Sequence, residues 1–466
     1  MPNHTYLFYD LETSGLNKSF DQVLQFAAIR TDLDFRELER HEFYVKLNPD
    51  TIPSPGASIT HRISIATTTH QGLTELEAME RIHALVNTPG TISLGYNTLE
   101  FDDEFLRFSF YRNLLPPYTH QYANDCSRMD IYPIILLYYL YKPGSIKWPT
   151  IDGVVSLKLD NINQANQLVH GQAHNAMVDV EATLALTKVL ALDKKMWDYV
   201  CGYFNKKIDD ARARQLTKAF DHHYEAVLLQ GKLGAKQSFQ APALYLGEHR
   251  HYRNQTIWLR LDLESLPQTT PDTIAKNTWA ISKKLGETPL LLPLADRFTQ
   301  KMSSDRKNIS EANKQWLQQH PELFNEIIDY HLEHKHPVYP KTDNAAALYI
   351  SEFWSPEETR YCRGFHTATP NNKAKSLPQL SNPTLYDLAL RVLGRFFPDT
   401  LTAAQQLTFQ HYLDSIYKPH NPPHDFRGEA HITPEKALTE ISKLKTERAL
   451  DSEQLALLVE IEAYLN

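Results

Sequence analysis

Tyr6-Leu7-Phe8-Tyr9-Asp10-Leu11-Glu12-Thr13 lies near the start of the chain, an apolar, β-prone run that ends in two acids. Side chains alternate along a strand, so Asp10 and Glu12 emerge on one face while Leu11 points to the other. Two carboxylates side by side repel each other unless something positive lies between them. A divalent cation, which prefers hard oxygen ligands, is the natural answer. An exposed strand end carrying two solvated acids is the plainer alternative, and Asp-x-Glu alone does not choose between them.

Around this run, residues 5–10, 22–31 and 37–47 read as three successive antiparallel strands separated by turn-forming residues. A helix follows near 73–87, then a short strand near 91–96 that runs into Gly95-Tyr96-Asn97. Segments near 100–113, 128–141 and 174–191 have helical periodicity. A meander followed by alternating strands and helices predicts a layered α/β domain over residues 1–193. From 195 to 345, apolar runs at Ala226–Gln230, Thr256–Leu263 and Leu290–Leu294 predict a β-containing domain. From 346 to 466, helix formers such as Pro383–Phe397 and Pro434–Leu465 predict an all-α domain.

Two further acidic elements fall in the first domain. In Asn97-Thr98-Leu99-Glu100-Phe101-Asp102-Asp103-Glu104, Phe101 and Phe105 can anchor a helix through their i, i+4 spacing. Asp102 then stands at the helix start, near the strand end. The helix dipole alone would also suit an acid there. Asp103 is the rival ligand, but one helical step turns it about 100° away. In His174-Asn175-Ala176-Met177-Val178-Asp179, the last acid sits on an Ala/Val/Leu-rich helix, a costly place for an unpartnered charge. His174 falls in the preceding loop, from which it can reach the same centre.

Composition narrows the class. Of 466 residues, 42% are hydrophobic and 22% charged, as in an ordinary globular protein. The longest apolar run, Ile131–Tyr141, is too short to span a bilayer and contains Pro133. Met1-Pro2-Asn3-His4-Thr5 lacks the basic and apolar regions of an export signal. Cys126, Cys201 and Cys362 are widely spaced and odd in number, which disfavours a disulfide scaffold or zinc site and fits a reducing cytoplasm. A net charge of −8 counts mildly against nucleic acid, although one local basic groove would suffice.

The three acidic elements, in this order, resemble the DEDD exonuclease superfamily with its ribonuclease H-like fold. The histidine subtype is indicated, because the rival subtype carries tyrosine where this chain has Asn175. A closer resemblance, to the bacterial exonuclease I family, runs over most of the chain. It is carried by Gln25-Phe26-Ala27-Ala28-Ile29-Arg30-Thr31-Asp32, Gly95-Tyr96-Asn97, Phe101-Asp102-Asp103-Glu104, Phe110-Tyr111-Arg112-Asn113, Trp148-Pro149 and His174-x-Ala176-Met177-x-Asp179-Val180. That family implies an exonuclease domain, an SH3-like domain and a C-terminal helical domain.

The resemblance implies a 3′→5′ exodeoxyribonuclease that acts on single-stranded DNA and releases 5′-mononucleotides. Asp10, Glu12, Asp102 and Asp179 would hold two magnesium ions about 4 Å apart, with manganese able to substitute. One ion would activate a water and the other would stabilise the leaving oxygen. His174 would be the general base, Glu12 would also serve catalysis, and Glu12 and Thr13 would meet the substrate. Arg107, Tyr118 and Tyr122 would contact DNA near the centre. Lys158 stands where relatives use arginine for a phosphate, keeping the charge but not the bidentate fork. Lys206, Lys207, Arg212, Arg214 and Lys218 form a basic cluster that reads as a solvated helix or as a rail for the strand.

Relatives of this family serve mismatch repair and recombination and bind the acidic tail of the single-stranded-DNA-binding protein. Lys142 and Tyr199 occupy positions suited to that contact. The resemblance further implies a monomeric, cytoplasmic protein without a membrane partner. An RNA-directed or proofreading exonuclease is the nearest alternative, disfavoured because such proteins are often little more than the first domain. A non-catalytic nucleic-acid-binding module would have no physical reason to keep all four acids and the histidine.

Overall fold

The computed structural model describes residues 4–171, 174–418 and 421–465. Two compact units emerge from the packing within the chain. One comprises Met1–Arg128, Val169–Leu184 and Pro337–Asn466; the other comprises Met129–Leu168 and Ala185–His336.

The first unit is built on five strands: β1 (Thr5–Thr13), β2 (Val23–Thr31), β3 (Glu37–Tyr44), β4 (Thr91–Leu94) and β5 (Ser127–Arg128). Their spatial order is β3-β2-β1-β4-β5. The first three strands form the expected antiparallel meander, and β4 and β5 add in parallel. This mixed sheet is ribonuclease H-like. Leu7, Tyr9 and Leu11 of β1 pack with Phe26 of β2 against helices Glu75–Val86 and Asp102–Arg112, through Met79, Ile82, Phe105 and Phe110. That burial leaves Asp10 and Glu12, half-buried, on the opposite face from Leu11. β3 is the edge strand, and its sequence Glu-Leu-Glu-Arg-His-Glu is charged, which discourages pairing with another chain.

Helix Glu75–Val86 begins with a complete capping box between Thr74 and Glu77. The C-terminal helices share a core with helix Asp102–Arg112: Phe108, Tyr111 and Leu114 pack with Cys362, Phe365, Leu388 and Val392. The buried Asp50–Arg395 ion pair, joined by the Tyr412 hydroxyl, adds a second tie within this unit. The helical run read over Pro434–Leu465 is broken into Pro434–Glu447 and Ser452–Leu465.

In the second unit, helix Ile131–Tyr141 accommodates Pro133 in its first turn, where no backbone donor is lost, and Asp130 caps it by accepting from Tyr132 N at 2.9 Å. An antiparallel six-stranded sheet runs in the order Ala280–Lys284, Gln255–Arg260, Gln240–Glu248, His223–Leu229, Leu290–Pro293, with Thr217–Phe220 also on His223–Leu229. Three of these strands match the expected apolar runs. Strand Gln240–Glu248 carries Pro242 and a register shift near Gly247, features that hide a strand in sequence. Among the described residues, no helix is long and apolar enough to cross a membrane. The first three residues of the segment read for an export signal lie outside the described residues.

Candidate active site

Carboxylate oxygens of Asp10, Glu12 and Asp179 lie within 4.8 Å of one another. Asp102 joins them at the end of β1, where its Oδ1 accepts from the backbone N–H of Leu11 at 3.2 Å. Burial, followed by the charges of Asp102, Asp179 and Glu12, holds the pKa of Asp10 well above the usual carboxylate range. Burial, then Asp179 and Asp102, pushes Glu12 up to about 9. Every cause of the shift of these two acids raises them, so the site concentrates negative charge. Hard oxygen donors that repel one another within a few ångströms suit a divalent cation.

Local geometry explains how Asp102 arrives there. Gly95 lies so close to β1 that a side-chain carbon would fall 2.4 Å from the Tyr9 carbonyl oxygen and 2.3 Å from Thr98. Only glycine permits that approach. Asn97 then takes a left-handed conformation (φ 65°), and Asp103 N donates to Thr98 O at 2.9 Å, starting the helix. The rings of Phe101 and Phe105 meet at 4.9 Å, the anchor expected from their spacing.

The adjacent acid has a different fate. Asp103 is fully buried and ringed by Arg107 (2.8 Å), Arg128 (2.5 Å) and His120 (2.7 Å). Against burial, Arg107, then Arg128 and His120, hold its pKa well below the ordinary range. The rotation between helix positions thus separates one acid facing the cluster from one that ties the helix down.

The third element is set by two polar residues that sequence reasoning did not single out. Asn175 caps helix Ala176–Ala191, accepting from Met177 N (3.2 Å) and Val178 N (3.3 Å). Gln25 is buried on β2 directly opposite Glu12 and accepts from Ala176 N at 3.4 Å, coupling the helix start to the acid-bearing face. A buried glutamine in an otherwise apolar strand was the available signal. His174 is exposed, with φ 61°, just before the cap. His61, only 5% exposed, accepts from Ile63 N through Nδ1 at 2.9 Å. Burial and then His174 push its pKa down to about 4.

The outer candidates are placed less uniformly. Thr13 is buried and its hydroxyl donates to Gly15 O at 2.8 Å. Arg107, expected to contact DNA, is only 8% exposed and paired with Asp103 and Glu104, because the adjoining acids draw it inward. It lies 5.7 Å from the ring centre of half-buried Tyr118, whereas Tyr122 is 67% exposed.

Lys158 belongs to the second unit, exposed before helix Leu159–Asn166. There too, Lys142 pairs with Asp193 at 2.6 Å, and the Tyr199 and Tyr203 hydroxyls meet at 3.1 Å. In the basic cluster Lys206, Lys207 and Lys218 are exposed and Arg214 pairs with Asp210. Arg212 lies 4.3 Å from the ring centres of both Tyr199 and Tyr203, so its guanidinium packs on the two rings.

A family model described as Exonuclease matches residues 7–187, and one described as Exonuclease I C-terminal domain matches residues 342–466. Exodeoxyribonuclease I of Escherichia coli (strain K12) is 30% identical over 444 residues, spanning 89% of this chain and 90% of that protein. Exodeoxyribonuclease I of Haemophilus influenzae is 37% identical over 188 residues, 40% of each chain. The structure of E. coli exonuclease I in complex with a dA16 oligonucleotide superposes with a TM-score of 0.85 at 27% identity, covering 99% of both chains. A moderately thermophilic exonuclease I from Methylocaldum szegediense shares the fold, with a TM-score of 0.86 at 24% identity over 99% of both chains. With an acid-lined centre on a ribonuclease H-like sheet and a full-length relative of this kind, the chain belongs to the exodeoxyribonuclease I family and is a DNA exonuclease.

Proposed function

We propose that this enzyme hydrolyses single-stranded DNA from its 3′ end, one nucleotide at a time, with two magnesium ions held by Asp10, Glu12, Asp102 and Asp179. The convergence of these four acids carries the reading. It is supported by E. coli exonuclease I, whose structures include complexes with dA16 and 5cy-dT13 oligonucleotides. Bound cations supply Lewis-acid activation of water and neutralise charge on the leaving oxygen. Manganese has the same ligand preference and would substitute.

The chain's own residues do the rest. Asp10, Glu12 and Asp179 fix the donor geometry, and the Leu11 N–H holds Asp102 in orientation. Glu12 and Thr13 would meet the terminal nucleotide. His174 is exposed to solvent and takes the proton from the attacking water at an imidazole nitrogen. Tyr118 and Tyr122 offer faces for bases, Arg107 backs Tyr118, and Lys158 supplies charge to a phosphate.

The layout we infer is an exonuclease domain over 1–193, an SH3-like domain over 195–345 and a helical domain over 346–466. The enzyme would act as a cytoplasmic monomer in mismatch repair and recombination. Lys142 and Tyr199 would receive the acidic tail of the single-stranded-DNA-binding protein, with the peptide carboxylates displacing Asp193 from Lys142.

Digestion of 5′-labelled single-stranded DNA tests polarity and cofactor together. The expected result is a ladder shrinking from the 3′ terminus with magnesium and absent with chelator. Matched RNA should survive. His174→Ala should retain DNA affinity while turnover falls by about 10²–10⁴-fold, the range for loss of a general base. Near-normal turnover would remove the role assigned to His174.

A further inference from the structure

We infer that Asp425, in the C-terminal region, is a positioning residue for DNA hydrolysis: through Asn17 it fixes the loop that follows Glu12 and Thr13 against the helix that carries Asp102. It rests on the reading of the four acids as the catalytic centre, and adds to that centre a residue 408 positions along the chain from its partner.

Convergence of the acids depends on how closely the end of β1 approaches the start of helix Asp102–Arg112, because Asp102 Oδ1 accepts from Leu11 N at 3.2 Å. Past Thr13 the chain leaves the sheet, and residues 14–22 connect β1 to β2. Connections of this kind are ordinarily the mobile part of a sheet. This one is tied down. The Ser14 hydroxyl donates to Asp21 Oδ1 at 2.9 Å, and Asn17 N donates to Asp21 Oδ2 at 2.8 Å. Lys18 Nζ donates to the carbonyl of Glu100, two residues before Asp102. The tip of the loop has little apolar anchoring of its own, since Leu16 is exposed and Asn17 and Lys18 are half-buried.

Residues 423–431 supply the anchor from the C-terminal region. Asp425 is buried, a costly place for a carboxylate without hydrogen bonds. Its Oδ1 accepts from Arg427 N and Glu429 N, both at 2.8 Å, which shapes its own loop. Its Oδ2 is left to accept from Asn17 Nδ2 at 3.1 Å. Aromatic contacts flank this bond. The His431 ring meets Phe20 at 4.8 Å, and Phe426 stacks on Phe108 at 5.7 Å with planes 18° from parallel. Phe20 belongs to the loop after β1, and Phe108 to helix Asp102–Arg112. One segment therefore grips both elements whose spacing sets the acid cluster. The Asp425–Asn17 bond is its polar link to the strand that carries Asp10 and Glu12.

The test is the single-turnover rate of removing the 3′-terminal nucleotide from an oligothymidylate with magnesium, beside the affinity for the same oligonucleotide with chelator. Asp425→Asn keeps an oxygen for the Arg427 and Glu429 N–H groups but turns an amide donor toward the Asn17 donor. Its rate should fall about tenfold while affinity stays within about twofold, because a small misplacement near the reacting atoms slows chemistry without removing remote contacts. Asn17→Asp combined with Asp425→Asn exchanges donor and acceptor and should restore the rate. His366→Ala breaks a different contact of the C-terminal region, with Glu80 on helix Glu75–Val86, and should leave the rate unchanged. A wild-type rate in Asp425→Asn, a double variant that stays slow, affinity lost in step with rate, or equal slowing in His366→Ala would overturn the positioning role and leave the catalytic centre standing. A wild type that cuts nothing with magnesium would overturn the reading of the acids as well.

Discussion

Asp103→Ala is expected to destabilise the protein by about 3–5 kcal/mol, because it removes the buried carboxylate on which two arginines and a histidine converge. Arg107, Arg128 and His120 all converge on that carboxylate. The same substitution one residue earlier should behave in the opposite way. Asp102→Ala gives up the hydrogen bond to Leu11 N, such a bond being worth about 1 kcal/mol, and relieves repulsion from Asp10 and Glu12. Its nuclease turnover should nonetheless fall by about 10³-fold or more, the scale of losing preorganised electrostatic stabilisation. Denaturant unfolding and nuclease assays on the two variants would separate the roles. If Asp103→Ala proved stable and Asp102→Ala active, the assignments would be reversed.

The second large effect concerns stability without metal. Glu12 has a folded-state pKa of about 9 against an ordinary value of 4.5, and Asp10 is raised as well. Between those values the folded chain binds protons that the unfolded chain has released. Stability therefore falls as pH rises from about 5 to about 9, with its full value below the unfolded pKa. Asp10→Asn removes one of the repelling charges and should raise the metal-free unfolding midpoint at pH 8 by a few degrees, while abolishing most DNA hydrolysis. In the wild type, added divalent cation should restore the stability lost at high pH. Asp10→Asn should show a smaller gain from the same addition. Differential scanning fluorimetry across pH, with and without cation, measures both effects. A wild-type midpoint that rises with pH in the metal-free protein would contradict this picture.

The first domain was legible because its signals are local. Strand alternation alone placed Asp10 and Glu12 together, and the half-buried, buried, half-buried pattern across Asp10, Leu11 and Glu12 is its structural counterpart. The turn between helix positions distinguished Asp102 from Asp103 for the same reason. The Phe101–Phe105 spacing fixed the helix start, and the rings meet.

What escaped the sequence depends on long-range neighbours. Arg107 looks like an open basic residue until its acid partners and Tyr349, 242 residues away, are in place. Arg212 looks like part of a basic run until two tyrosines enclose it. Gln25 gains its role only when β2 aligns it with Glu12 and helix Ala176–Ala191 starts above it. In the second unit, Pro242 and the irregularity near Gly247 masked strand Gln240–Glu248, whose pairing is decided by its neighbours.

Titrating the metal-free enzyme with manganese, followed by electron paramagnetic resonance, probes the four-carboxylate centre most directly. Two ions should bind per wild-type chain, with affinity falling sharply in Asp10→Asn, Asp102→Ala and Asp179→Ala but not in the surface variant Lys206→Ala. Undiminished binding in all three acid variants, or none in the wild type, would contradict the site.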